Sequence, residues 1–420
     1  MNKKATQKSI QEQNIGLIIK NIIESESSAR INLSQNTKLA KSTISVLTRL
    51  LIDKNIIYEN KKAESKIGKK PTLLEFNKKY CFIIAINIGV DTINGALVNI
   101  FGEKLFIINK KNYPKNTRSE ILNNIFVTIE DLLKKANINI DKIFLFSLGT
   151  HGIVNPKTKI ITNAPFLPGW NGINLIKIFK SKYNIEVLLE KDVNFGAIGE
   201  HWLNYKDIKN LIFIDINNGV GAGIILDNNI MLGNEGRMGE IAYLPIESTN
   251  NFKMLKKNKQ ELGIFESQIN TNAIIRTIKD TYNKLDNKEK KKFIEFSKEI
   301  DFNTICILYN KNNMNFVKNI IDNYIINLIA LGIASIIAII DIEIIIINGD
   351  IIKLGNSFID KLTKRVREIS PFKTKLLYSQ LGHYAPLEGA IKNGIDYLRN
   401  KFYNNFFSIL EKYNPPDVNI

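Results

Sequence analysis

LSQNTKLAKSTISVLTRLL, residues 33–51, decides how the chain begins. Ile44, Leu47 and Leu51 recur at helical spacing, so the second half of the stretch predicts a helix with one apolar face. Ser42, Ser45 and Arg49 share the opposite side, flanked by Lys41 and Thr43. Small hydroxyls and cations on one face suit a helix lying in the major groove, where they reach base edges and phosphates. Upstream, a tight turn falls at Lys38–Ala40, with Lys38 placed to meet a phosphate. A short helix is expected to start near Asn32, capped by that side chain with Gln35 three residues on. Ile15, Ile18, Ile19, Ile22 and Ile23 form the buried face of a helix before that. The pattern is a helix-turn-helix, although a small helical bundle used for protein contacts has the same spacing.

Asn55–Glu59 and Pro71–Phe76 read as two short strands around a basic loop that holds Lys61, Lys62, Lys66, Lys69 and Lys70, with Gly68 giving backbone freedom. Such a wing contacts phosphates or enters a minor groove; a solvated linker is the plainer reading of a bare lysine run. Charge favours the wing. Residues 1–80 carry 16 Lys and Arg against 7 Asp and Glu, a net of +9 out of +17 for the whole chain. Lysine is abundant throughout, so the concentration argues more strongly than the total for a polyanionic partner.

A chain of 420 residues has room for a head and a two-lobed body. The N-terminus is polar and charged, which reads against a secretory leader. The longest apolar run, Leu328–Ile340, is short for a bilayer and runs into Asp341 and Glu343, so a core helix feeding the buried strand Ile344–Ile347 is expected. Two distant cysteines, Cys81 and Cys306, give neither a disulfide framework nor a cysteine zinc site. A cytoplasmic location and no membrane partner follow as expectations. Asn287–Phe293 reads as exposed surface, and no tandem repeat is visible. From Cys81 onward strands and helices alternate, an α/β pattern. Strands are expected at Cys81–Ile88, Gly95–Ile100, Ile143–Leu148, Glu186–Glu190 and Leu211–Ile216, the last running into the turn Asn217–Gly223. Polar and glycine-rich turns at strand ends are where such folds bind ligands.

Several ordered motifs make the body specific. Asn163–Trp170 reads NAPFLPGW, Glu190–Asn194 EKDVN, Gly239–Tyr243 GEIAY and Gly263–Glu266 GIFE, and Leu331–Ala334 leads through Asp341–Glu343 to Asn348-Gly349. With the basic segment Gly68–Leu74, these resemble the ROK family of sugar kinases and sugar-responsive repressors over nearly the whole chain. The head is similar to that of the repressor branch, which includes xylose and N-acetylglucosamine operon repressors. The resemblance implies a winged helix-turn-helix over residues 1–77. Behind it, over 78–420, it implies a two-lobed actin-like ATPase fold whose cleft lies near 150–195 and 217–266.

The departures are as informative. Family kinases begin the first phosphate turn Asp-x-Gly-Gly-Thr; here it reads Asn87-Ile88-Gly89-Val90-Asp91. Asn87 brings no charge to hold magnesium, Val90 adds bulk, and Asp91 repels phosphate. Asn218 replaces a threonine in the second turn, and Asp350 follows the adenosine-segment glycine. ATP handling is therefore expected to be lost, with no cofactor. The family's zinc is held by the histidine of GEIGH and cysteines before GCLE. Tyr243 and Ile264 stand at two of those positions, and residues 256–261 hold no cysteine, so no metal is expected. The turn reads away from the family too, with Lys38 for glycine and Ala40 for serine, and alanine cannot cap the helix that follows.

By the same resemblance Asp192, Glu240 and Glu266 are sugar-hydroxyl acceptors, Asp192 at the position of the kinases' catalytic base. Gly152 and Asn163 line the cleft. Lys191, beside Asp192, either neutralises it or selects an acidic or phosphorylated sugar. Tyr243 packs, or donates to ligand. The favoured expectation is a homodimeric repressor that binds duplex operator DNA and responds to a sugar or sugar phosphate. A working sugar kinase, and a constitutive DNA binder without effector, remain open.

Overall fold

The first helix ends only two residues before a strand begins, and that strand brings the head together. The computed structural model describes residues 7–60, 71–113, 115–246, 262–296, 299–311 and 314–413. The head consists of α1 (Gln7–Glu24), β1 (Ser27–Ala29), α2 (Arg30–Thr37), α3 (Lys41–Asp53), β2 (Ile57–Asn60) and β3 (Leu73–Phe76). Ile15, Ile18, Ile19, Ile22 and Ile23 of α1 are buried, as their spacing predicts, and meet Leu33, Ile44, Leu47 and Leu51. The three-residue β1 was not expected; it pairs antiparallel with β3, which β2 flanks on the other side. Because the chain passes directly from β1 into α2, that helix starts at Arg30. Its N-cap position is Ala29 with no side-chain cap, so the expected Asn32–Gln35 cap does not form. Lys38 takes a left-handed conformation (φ 59°), and Ala40 precedes α3 with no side-chain cap. Ser34 Oγ donates to the Leu39 carbonyl at 2.7 Å and so helps hold the turn instead.

In the first lobe β4 (Phe82–Ile88), β5 (Thr92–Asn99) and β6 (Lys104–Lys111) form an antiparallel meander. After α4 (Arg118–Ala136), β7 (Ile143–Thr150) adds parallel to β4. The hairpin β8 (Ile153–Val154) and β9 (Ile161–Thr162) and helix α5 (Leu175–Tyr183) follow, and then β10 (Glu186–Lys191) adds parallel to β7. Helix α6 (Asp192–Asn204) crosses to the second lobe. There β11 (Leu211–Ile216), β12 (Val220–Leu226) and β13 (Asn229–Ile230) form a second meander. The helices α7 (Glu266–Ile269), α8 (Thr271–Lys284), α9 (Asn287–Phe296), α10 (Phe302–Asn310), α11 (Asn315–Ile320) and α12 (Ile326–Ile339) precede β14 (Ile344–Asn348). Helix α13 (Asn356–Ile369) then leads to β15 (Lys375–Tyr378). β14 joins parallel to β11, and β15 to β14. The strand orders β6-β5-β4-β7-β10 and β13-β12-β11-β14-β15 are therefore the same plan used twice, a duplication in topology that the sequence does not display.

Two expectations need correction. Phe293, assigned to exposed surface, turns into the second-lobe core beside Tyr282 and Phe316. The apolar helix is also longer than the Leu328–Ile340 run. α11, a π-helical turn at Ile321–Ile325 and α12 make 25 continuous helical residues, long and apolar enough by length and composition to cross a membrane. In this fold Ile321, Ile325, Ile329, Ile333 and Ile337 of that helix lie in the second-lobe core.

The chain closes with α14 (Ala385–Asn404) and α15 (Phe406–Tyr413). α14 packs on α6 and on β4 and β7, and its far end meets the head. One apolar cluster runs from Ile15 and Leu74 through Phe76, Cys81 and Phe402 to Phe195 in α6. Both cysteines are buried free thiols, and burial pushes the Cys306 thiol up to about 12.

Candidate functional site

The C-terminal ends of β4, β7 and β10 in one lobe face those of β11 and β14 in the other across a cleft of about 620 Å³. Gly152, Asn163, Lys191, Asp192, Glu240, Tyr243 and Glu266, all singled out from sequence, line it. Gly152 sits at φ 97°, and a Cβ there would stand 2.7 Å from Ala164, so only glycine fits. Asp192 is the first residue of α6, and its Oδ1 accepts the Val193 N–H at 2.8 Å. Its Oδ2 lies 3.8 Å from His151 Nδ1. Glu266 is buried at the start of α7 and accepts the Val220 N–H at 2.8 Å; burial raises its carboxyl above the usual range.

Lys191 does not neutralise Asp192. Its ammonium turns to the opposite side and donates to Glu240 Oε1 at 2.9 Å and to the Met238 carbonyl at 2.8 Å, with only 3% of the side chain exposed. Successive residues where a strand ends point to opposite faces, which is why neighbours in sequence part company here. Glu240 is thus tied to a cation across the lobes. Tyr243 is not packed away: it is 46% exposed, and its hydroxyl accepts from Asn163 Nδ2 at 2.7 Å, a second bond between lobes.

His151, in the turn after β7, also lines the cleft, and no sequence motif marked it. Its ring stands 5.5 Å from that of Phe166, and a Cβ on Gly219 would sit 3.3 Å from both His151 and Glu266. Burial works against its imidazolium, but the carboxylates of Asp192, Glu266 and Glu240 outweigh it and hold the ring above the ordinary histidine pKa. The inner cleft therefore sets three carboxylates around the Lys191 ammonium and the His151 imidazole, with an aromatic face alongside. That is a set of hydroxyl acceptors and donors suited to a polyol.

At the far end Asp91 accepts from Asn218 Nδ2 at 3.1 Å, and burial together with the nearby Asp350 raises its carboxyl. Asp215 accepts from Asn348 at 2.6 Å and Asn217 at 2.9 Å. Burial, followed by repulsion from Asp192, nevertheless lifts its pKa to about 7. The folded chain then holds a proton that the unfolded chain releases near 3.8, so this group's contribution is complete below pH 4 and is lost as pH rises through 7. Asp215→Asn is expected to flatten the fall of denaturant stability between pH 4 and 7 by on the order of 2–4 kcal/mol, since the carboxyl keeps an edge on the cleft. An unchanged pH slope in urea titrations would contradict it. Among the described residues no group of three His, Cys, Asp or Glu is placed to hold a metal. Residues 256–261 of the family's zinc segment lie outside the described residues.

On the head, Lys38, Lys41, Ser42, Ser45 and Arg49 are exposed. Thr43 is half-buried, and Ser45 Oγ donates back to the Lys41 carbonyl at 2.9 Å, leaving its lone pairs outward. Val46, not anticipated, stands 66% exposed among them. Lys69 and Lys70 lie outside the described residues.

Comparison with known proteins adds to this geometry. A family model described as ROK family matches residues 83–392. A putative xylose repressor of Caldicellulosiruptor sp. (strain Rt8B.4) is 28% identical over 367 residues, covering 85% of this chain and 88% of that protein. The xylose repressor of Bacillus subtilis (strain 168) is 26% identical over 401 residues, covering 94% and 97%. Among solved structures, a ROK family transcriptional regulator, a homolog of the E. coli MLC protein, superposes with a TM-score of 0.73 at 21% identity over 96% of this chain and 99% of that one.

Proposed function

The chain belongs to the ROK family and carries its two-lobed, actin-like kinase-type fold; from that premise we propose that it is a sugar-responsive repressor of transcription rather than a kinase. Residues 1–77 act as a winged helix-turn-helix that reads duplex DNA, with α3 in the major groove. Residues 78–420 hold the sugar and join two copies into a dimer on a near-palindromic operator in the cytoplasm. The observation that carries the reading is a cleft with its hydroxyl-binding end intact and its phosphate end refitted: Asp192, Glu266 and the Lys191–Glu240 pair converge, while Asp91 and Asp350 occupy the other end. Carboxylates there repel a triphosphate, and no nucleotide or metal is needed for recognition alone. Similarity over most of both chains to proteins named xylose repressors supports a pentose as first candidate.

Sugar binding acts on DNA by favouring one arrangement of lobes and heads, which requires different affinities for the two arrangements. Lys191–Glu240 and Asn163–Tyr243 are contacts that such a shift would remake. The test is fluorescence anisotropy of the full chain on duplexes selected from a random-sequence pool, with and without xylose, glucose and N-acetylglucosamine. An affinity change with one sugar supports the sensor; ATP-dependent sugar phosphorylation abolished by Asp192→Asn would support the kinase. Arg49→Ala, on the exposed face of α3, is expected to weaken binding to all duplexes about equally and to reduce the slope of log K against log salt by about 1, as for a phosphate contact.

A further inference from the structure

We propose, building on the sensor reading above, that the outer end of the cleft is a second glycosyl subsite, so that the effector is a di- or oligosaccharide rather than a single sugar. A cleft of about 620 Å³ has the size of pockets that bury drug-sized ligands, and one pyranose ring at His151, Asp192 and Glu266 leaves most of it unfilled. The outer end carries unmet acceptors. Asn87, Asn94 and Asn348 line it, each more than nine-tenths buried, and the Oδ1 of each has no hydrogen-bond partner. A buried acceptor left unpaired costs about 1–3 kcal/mol, and three in one cavity point to a ligand that supplies donors.

The charge selects which donors. Asp91 and Asp350 face the same space, and the nearby ammonium of Lys353 is already tied to Asp350 at 2.7 Å and to Asn303. A phosphate or carboxylate ligand meets repulsion there, whereas neutral hydroxyls satisfy both the amide oxygens and the carboxylates. Gly219, beside His151 and Glu266, and Gly221, beside Val193, add no side chain of their own to the cleft.

The test is calorimetry on the full chain with matched pairs: xylose and xylobiose, glucose and cellobiose, N-acetylglucosamine and its β-1,4-linked dimer. One disaccharide is expected to bind about tenfold more tightly than its monosaccharide. Asp350→Trp, which fills the outer end, and Asn87→Ala, which deletes an unmet acceptor, are each expected to remove that gain while monosaccharide affinity holds. Deleting an unpaired buried acceptor removes a cost in the folded protein, so Asn87→Ala is expected not to lower the melting temperature, whereas a structural role would lower it. Monosaccharide binding with no disaccharide gain in any pair overturns the subsite alone, as does a gain that survives both substitutions. No binding by any of the six sugars overturns the sensor reading and the subsite together.

Discussion

Gly16→Ala is expected to release the head from the body, lowering stability by about 3 kcal/mol and abolishing any sugar dependence of DNA affinity. A Cβ at Gly16 would collide with the carbonyl oxygen of Tyr403, deep inside van der Waals contact. That oxygen belongs to the backbone of α14 and cannot rotate away, so the helices must part. Much would open with them. Phe76 and Phe402 meet edge-to-face at 5.4 Å, and the Phe407 N–H at the start of α15 donates to Glu12 of α1 at 3.0 Å. α14 is the physical connection between α1 and the α6 helix that begins at Asp192. Chemical denaturation gives the stability change, and DNA binding with and without sugar gives the coupling. A Gly16→Ala protein with wild-type midpoint and an undiminished sugar response would show that this crossing carries neither.

Lys191→Ala is expected to cost about 3 kcal/mol, at the low end of the range for breaking a buried pair because Glu240 keeps 22% of its side chain exposed. The loss comes less from the missing attraction than from what stays behind: the Glu240 carboxylate and the Met238 carbonyl, both without their donor. Replacing both partners by residues of matching shape, Lys191→Met with Glu240→Leu, is expected to recover most of the stability while still losing sugar binding. Urea titration of the single and double variants decides it, and a double variant as unstable as the single would contradict the account.

The parts legible in the sequence were those where one periodicity or one motif ruled. The apolar face of α1 and the continuous Ile344–Ile347 run of β14 fall where expected because burial on one or both faces dictated them, and the motif residues line one cleft. β6 was missed because Leu105, Phe106 and Ile107 are exposed in succession on an edge strand, with no alternation to read. β1 is three residues long, too short for any period, and it displaced the start of α2 from the expected Asn32 cap. Adjacency misled at Lys191, whose partner is 49 positions away rather than next door. His151 and Asp215 gave no motif of their own. Their character comes from the carboxylates that the two lobes bring around them, which only the assembled cleft reveals.

The shared core of head and C-terminus also orders events in time. Ile15, Ile18 and Ile22 leave the ribosome long before Phe402, Phe406 and Ile409, which belong to the same cluster. The Glu12–Phe407 contact joins residues 395 positions apart, and closing it must await synthesis of the later segment. A chain cut short before Phe402 therefore lacks part of the core on which its head packs.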